Sequence, residues 1–269
     1  MRKINNADEI KTQVMSLRGS ISNCYYMPED INKIVRMEQL YEVDATDGTA
    51  WIQRKEGRDQ FIFQTSKENA ETYICRLPEG NDYVAEIIHR DIPSEKYESE
   101  KNIICRCGFQ FAGQARMMIR KPLPIQTTHV ENHSVRSAKE QDRKAIDELF
   151  QDAFDLLTDA VPTGHELASI IDNGEIWILE DLISRTILGC AMFETAGRRT
   201  WIRHVTVSKE MRGKGIAKEL LQAYIQEGDP ETEYTLWVKD DNTAAIHLYK
   251  RTGFVETNRY MDIWIKKKR

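Results

Sequence analysis

Between Trp201 and Leu221 the chain reads WIRHVTVSKEMRGKGIAKELL: an apolar strand, a short loop with two closely spaced glycines, then a helix. Few folds accept that order. Ile216, Leu220, Ala223 and Tyr224 recur at i, i+4, i+7 and i+8, so one helical face can enter a core. Helix N-termini present unpaired N–H groups and partial positive charge, which suits a phosphate or pyrophosphate. Gly213 and Gly215 allow close backbone approach because no Cβ intervenes. Arg212 and Lys214 add positive charge. Taken alone, RGKG also suits an exposed turn.

Two common nucleotide motifs are excluded. The phosphate loop needs four residues between its first glycine and Gly-Lys-Ser/Thr, and no such run occurs. The dinucleotide fingerprint needs a third glycine where Lys218 stands.

A second pattern follows about twenty-five residues on: Asn242-Thr-Ala-Ala-Ile-His-Leu248-Tyr249-Lys-Arg-Thr-Gly253-Phe254. With Arg212, Gly215 and Ala217 in the preceding loop, the pair resembles the two signatures of the GNAT superfamily of acyl-CoA-dependent N-acyltransferases. Val135-Arg136-Ser-Ala138 with Asp142 resembles that family's opening strand and helix. The resemblance spans Ser134 to Lys267.

It implies a mixed α/β domain whose central strands splay apart to admit the pantetheine arm of acetyl-CoA. Backbone groups of Val205 and Val207, flanking Thr206, would pair with that arm as an added strand. The amides of Met211, Arg212, Gly213, Lys214, Gly215, Ile216 and Ala217 would hold the pyrophosphate. Asn242 would sit near the arm and Tyr249 near the sulfur. By helical spacing alone Tyr249 reads as core, since it shares a face with Ala245 and Leu248; the family match points instead to a general acid. A phenol is a sensible proton donor to a departing thiolate. For the base, His204 titrates in a useful range, and Glu194 is its rival. Strand alternation places His204 opposite Arg203 unless a bulge intervenes.

The rest of the chain reads as a related, eroded half. Asp47-Gly48-Thr-Ala-Trp51-Ile52 resembles Asn173-Gly174-Glu-Ile-Trp177-Ile178, and Cys107-Gly108-Phe109 resembles Thr252-Gly253-Phe254. No glycine loop precedes Gly108, and Ile103-Ile104 stand where Leu248-Tyr249 would be. Ser94 to Arg106 is the counterpart helix and Tyr83 to Arg90 the counterpart strand. The Pro-containing stretch after Arg120 reads as a linker. The expected division is a degenerate domain at 1–121, a linker at 122–133 and a catalytic domain at 134–269.

Within the second half the patterns predict a helix over 139–157, a second over 164–172, and strands at 175–180, 186–195 and 199–208. A helix from 214 to 227, a strand from 234 to 239 and a helix from 243 to 251 follow. Two short strands close the chain.

Composition narrows the partners. The 38 basic and 43 acidic residues of the 269 give a net charge of −5, which argues against nucleic acid. No apolar run reaches the ~18 residues of a membrane span. Five cysteines without a CxxC pair fit reduced thiols in a cytoplasmic protein. His129 and His133 have metal-like spacing but no cysteine nearby, so no metal is expected. No cysteine lies in the motifs, which disfavours an acyl-cysteine carrier. The expected activity is acetyl transfer from acetyl-CoA to a primary amine of a small molecule or peptide, by direct attack in a ternary complex. The alternative is a non-catalytic acyl-CoA sensing module. Asp155, Asp159, His165 and Glu166, expected on the helices framing the acceptor, mildly favour a cationic amine. Homodimerisation stays open.

Overall fold

A computed structural model describes residues 1–16, 20–25, 28–55, 58–92, 94–122 and 132–268. His129 and most of the expected linker lie outside the described residues. The elements of the first half are β1 (Arg2–Lys3), α1 (Ala7–Ser16), β2 (Ile21–Ser22), α2 (Pro28–Arg36), β3 (Leu40–Val43), β4 (Ala45–Thr46), β5 (Gly48–Lys55) and β6 (Arg58–Thr65). Then come β7 (Ile74–Cys75), β8 (Tyr83–Arg90), α3 (Glu95–Arg106) and β9 (Gln110–Arg120). The second half has β10 (His133–Ser137), α4 (Arg143–Ala153), α5 (Gly164–Asp172), β11 (Ile176–Asp181), β12 (Ile187–Ala196) and β13 (Arg199–Val207). It ends with α6 (Ile216–Glu227), β14 (Glu233–Lys239), α7 (Thr243–Arg251) and β15 (Val255–Lys266). Among the described residues no helix is long and apolar enough to cross a membrane.

The chain divides into two compact units, one of Met1–Gln114 with Arg259–Arg269 and one of Ala115–Asn258. This differs at both ends from the expected 1–121 and 134–269, and strand pairing is the reason. Arg259 to Lys266 of β15 pair antiparallel with β8, so the chain's last strand completes the first unit. Ala115 to Arg120 of β9 pair antiparallel with β14 and complete the second. The two short closing strands expected from the pattern are one strand of 12 residues.

In the first unit β5 and β6 alternate strictly. Ala50, Ile52, Phe61 and Phe63 join Ile103 and Ile104 of α3 in one core. Trp51 and Ile62 turn the other way, onto Ile10 of α1 and Ile31 and Ile34 of α2. Ser94 starts α3 by accepting a hydrogen bond from the Tyr97 amide at 3.2 Å, a cap worth about 1 kcal/mol.

The second unit follows the same rule. Cys190 and Met192 of β12 face Ile146 and Phe150 of α4 and Leu167 and Ile170 of α5. Ala191 and Phe193 face Ile216, Leu220 and Leu221 of α6. Helices therefore cover both faces of a mixed sheet ordered β9-β14-β13-β12-β11-β10.

The repeat survives at one landmark and fails at the other. After α3, the amides of Cys107 and Phe109 donate to the carbonyls of Ile103 and Ile104; after α7, those of Thr252 and Phe254 donate to Leu248 and Tyr249. Gly108 and Gly253 both have φ near +90°, which their left-handed C′ position requires. The Trp51 and Trp177 landmarks are not equivalent. Trp177 lies on the strand following α5, whereas the strand following α2 is β3 and Trp51 lies two strands later, on β5. Glu38, at φ +58°, ends α2 as Gly174, at φ +73°, ends α5.

Candidate active site

β13 and β14 run parallel but pair only from Arg199↔Glu233 to Ile202↔Leu236. β13 continues to Val207 and β14 to Lys239. Beyond Ile202 the two strands part. Backbone groups from Arg203 onward are thus not consumed by β14, and an extended ligand could take them up.

A bulge sits at the parting. Cys190 stands opposite Thr206 and Met192 opposite Arg203, so His204 and Val205 together face Ala191. The extra residue reverses the side-chain alternation. Ile202 packs with α6 before the bulge, and Val205 and Val207 do so after it. His204 turns to α4, its ring 5.7 Å from that of Phe150 and 5.3 Å from that of Phe154. Arg203, Glu194 and His204 therefore share one face of the sheet, the arrangement that strict alternation forbids.

At the end of β13, a single 3-10 turn over Lys209–Met211 leads to α6. Gly213 and Gly215 adopt φ +77° and +88°, and a Cβ at either would project into open space. The amides of Gly213, Gly215, Ile216 and Ala217 make no backbone hydrogen bond among the described residues. α6 thus begins at Ile216, two residues later than the pattern predicts, and Gly215 is its N-cap. Asp152 at the end of α4 bonds Lys209 and lies 3.6 Å from Arg212, and Arg212 Nε donates to the Val207 carbonyl at 3.4 Å. Part of the loop's positive charge is thereby used to hold the loop.

Asn242 is the N-cap of α7, its side chain accepting from the Ala245 amide at 3.1 Å. Two turns later, Tyr249 is buried and packs edge-on to Phe254 at 5.7 Å. Burial pushes its phenol pKa well above the ordinary value. The hydroxyl has no hydrogen-bond partner among the described residues.

The carboxylates expected to frame an acceptor are arranged differently from the helical expectation. α4 stops at Ala153 because the chain turns, and Asp155 caps that turn by accepting from the amides of Leu157 and Thr158. Asp159 pairs with Lys239 at 2.7 Å. Neither lies on a helix and both are engaged, so they give little support to a cationic acceptor. His165 and Glu166 do lie on α5.

Two residues that sequence reasoning passed over stand beside Glu194. Arg203 Nη2 donates to Glu194 Oε2 at 3.2 Å, and its guanidinium lies 5.1 Å from the centroid of the Trp201 ring. Trp201 is the cross-strand partner of Glu194. The signal was the i, i+2 spacing of Trp201 and Arg203, which means little until the register with β12 is known.

The first unit has a similar parting, but it is filled. β6 and β8 pair in parallel only at Asp59↔Tyr83 and Gln60↔Val84. Residues 21–25 occupy the space beyond. Ile21 and Ser22 pair with Thr65 and Gln64. Asn23 Nδ2 donates to the Phe61 carbonyl at 3.0 Å, and its Oδ1 accepts from the Phe63 amide at 2.8 Å. On the other strand the Ile88 amide donates to the Tyr25 hydroxyl at 2.7 Å. The chain's own backbone and side chains thus take up these strand edges. No helix lies between β6 and β8, where the second unit has α6.

Among the described residues, no group of three or more His, Cys, Asp or Glu is placed to hold a metal. Residues 141–254 match the acetyltransferase (GNAT) family. No curated protein matches the sequence significantly. Among solved structures, the fold is similar to that of a GCN5-related N-acetyltransferase from Sphaerobacter thermophilus, at 18% identity and a TM-score of 0.61, over 90% of this chain and 87% of that one. A tandem GNAT protein from the clavulanic acid biosynthesis pathway matches at 12% identity and a TM-score of 0.63, over 98% of this chain and 97% of that one. A GCN5-related N-acetyltransferase from Kribbella flavida matches at 11% identity and 0.55, over 99% and 97%. At these identities the likeness is one of fold, and it extends through both halves.

Proposed function

We propose, from the match of residues 141–254 to the acetyltransferase (GNAT) family, that the chain moves an acetyl group from acetyl-CoA to a primary amine by direct attack in a ternary complex. The parting of β13 from β14 beside the glycine-lined start of α6 carries this reading. A pantetheine arm needs unpaired strand edge, and a pyrophosphate needs amides with no Cβ in the way. Both lie in the second unit. The backbone at Val205, Thr206 and Val207 would take the arm, and the amides from Met211 to Ala217 the pyrophosphate. Asn242, spent on its cap, would contribute by fixing where α7 starts.

Acetyl-CoA supplies an activated thioester. The acceptor nitrogen, freed of its proton, attacks the thioester carbonyl; a C–N bond forms and the C–S bond breaks. Tyr249 gives its hydroxyl proton to the departing thiolate and is reloaded by the proton that the nitrogen sheds as the amide forms. Burial keeps the phenol neutral and loaded, and the same apolar surroundings raise the basicity of the thiolate that forms beside it. The ammonium proton leaves toward the face that the bulge assembles, where Glu194 and His204 stand together. Glu194 is only singly bonded and reaches solvent, so a carboxylate can pass the proton on through water.

The test is a screen of amines and peptides that reads CoA release by the full chain. Acceptor-dependent release supports transfer. Thermal stabilisation by CoA without release on any amine would establish a sensing module instead.

A further inference from the structure

Resting on the transferase reading, we propose that Arg203 docks a carboxylate of the acceptor, which makes that acceptor a small amino acid bearing both an amine and a free carboxylate. The argument is one of elimination on the face of the sheet that carries His204. Asp152 is taken by Lys209 and Arg212. Asp155 is folded into its own turn, and Lys239 is taken by Asp159 and the Thr158 hydroxyl. On the strands themselves Glu194 and Arg203 remain, with His165 and Glu166 across from them on α5. Glu194 and Arg203 share a single hydrogen bond at 3.2 Å, and their side chains are 38% and 39% exposed.

One bond uses little of what the pair offers. A guanidinium has five N–H donors in a rigid fork, and a carboxylate can accept about four bonds. Among the described residues, Nε and Nη1 of Arg203 have no partner, nor does Oε1 of Glu194. The Arg203 guanidinium also lies over the Trp201 ring, 5.1 Å from its centroid. A guanidinium steadied by an aromatic ring offers two-pronged recognition of a carboxylate in a way that a swinging lysine does not. Next to it stands a carboxylate of opposite sign. A ligand with an ammonium and a carboxylate a few bonds apart presents the matching dipole: the ammonium to Glu194, the carboxylate to Arg203. A simple cationic amine would leave the guanidinium facing it with like charge.

The experiment compares amino acids with the amines that lack only the carboxylate, on the full chain at saturating acetyl-CoA. The expected result is a preference for amino acids of roughly ten- to hundredfold in kcat/KM, expressed in KM. Arg203→Met should raise the amino-acid KM by a similar factor and narrow the preference, and Arg203→Lys should restore only part of it. Equal use of both acceptor classes by the unmodified chain overturns the proposal. So does an Arg203→Met chain that loses both classes in equal measure. If no amine of any class releases CoA, the transferase reading fails. Calorimetry with CoA-loaded protein then decides the docking separately. Amino-acid binding that Arg203→Met abolishes upholds it, and absence of binding overturns it.

Discussion

The amide of Phe254 closes α7 onto the carbonyl of Tyr249 at 2.9 Å, while their rings meet edge-on at 5.7 Å. Helix end and phenol are therefore positioned by the same two residues. Tyr249 is held by its ring and its backbone, and its hydroxyl is held by nothing on the protein among the described residues.

That separation makes Tyr249→Phe a clean test. The variant keeps the ring and its packing, so stability should stay within about 1 kcal/mol. If the hydroxyl protonates the thiolate, kcat should fall by about 10²- to 10⁴-fold with CoA affinity unchanged. Single-turnover measurement with a slow acceptor is the appropriate readout, because slow product release could mask a modest effect. A variant with a near-normal single-turnover rate would leave Tyr249 as packing alone.

Gly215 adopts φ +88°, and in the proposed function its amide also meets the pyrophosphate. Gly215→Ala should cost about 1–2 kcal/mol through the left-handed backbone alone, seen as a fall in Tm. Gly215→Glu adds a negative charge and bulk directed at the pyrophosphate position, and CoA affinity should drop sharply by calorimetry. Since no protein atom lies within 4 Å of the added Cβ, the fold should survive both changes. Unchanged CoA affinity in the glutamate variant would remove the pyrophosphate from this loop.

The first unit depends on the end of the chain. Trp264 is part of its core, and buried Asp262 accepts from the Tyr97 hydroxyl at 2.6 Å and Gln114 Nε2 at 2.7 Å. It also lies 3.2 Å from His89 Nε2. Removing Arg259–Arg269 strips β8 of its antiparallel partner and leaves those donors without an acceptor, so amides of β8 should lose hydrogen-exchange protection. A fragment ending at residue 121 lacks the same strand and should not melt cooperatively. A soluble, cooperatively folding 1–121 fragment would refute this dependence. In the full chain, with the cleft of the first unit filled by residues 21–25, calorimetry should find one CoA per chain.

Much of this was legible in the residue pattern because it is local. The bounds of α5 and α7, the glycine that ends α7 and the strand-loop-helix around Arg212 each depend on neighbours within a few positions. What was not legible depends on partners elsewhere in the chain. The bulge at His204 and Val205 exists only relative to β12, and no spacing within WIRHVTV announces it. β15 carries an apolar pattern that does not say which unit it will complete. Asp155 and Asp159 sit where the apolar stripe of α4 continues through Phe154 and Leu157, yet the Asp155 side chain caps a turn and ends the helix early. The Trp51 landmark misled because a match of a few residues does not say which strand of a unit it opens: Trp51 lies on β5 and Trp177 on β11.

Glu100 gives the first unit a pH dependence of unusual sign. It sits on α3, 2% exposed, with Lys96 Nζ at 3.3 Å and the Ser22 amide donating to it at 3.4 Å. Burial outweighs both partners and pushes its pKa up to about 7. In the unfolded chain an ordinary glutamate titrates near ~4.3. Between those values the folded state holds a proton that the unfolded state has released, so stability falls as pH rises. The stabilisation is complete below pH ~4.3 and is lost by about pH 7, on the order of 3 kcal/mol from this group alone. Denaturant melts at pH 5 and pH 7.5, read through exchange at Ser22 and its neighbours, should show that loss, and Glu100→Gln should flatten it while keeping the acceptor for the Ser22 amide. If the glutamine variant shows the same slope as the unmodified chain, the titration belongs to another group and Glu100 is charged in the folded protein.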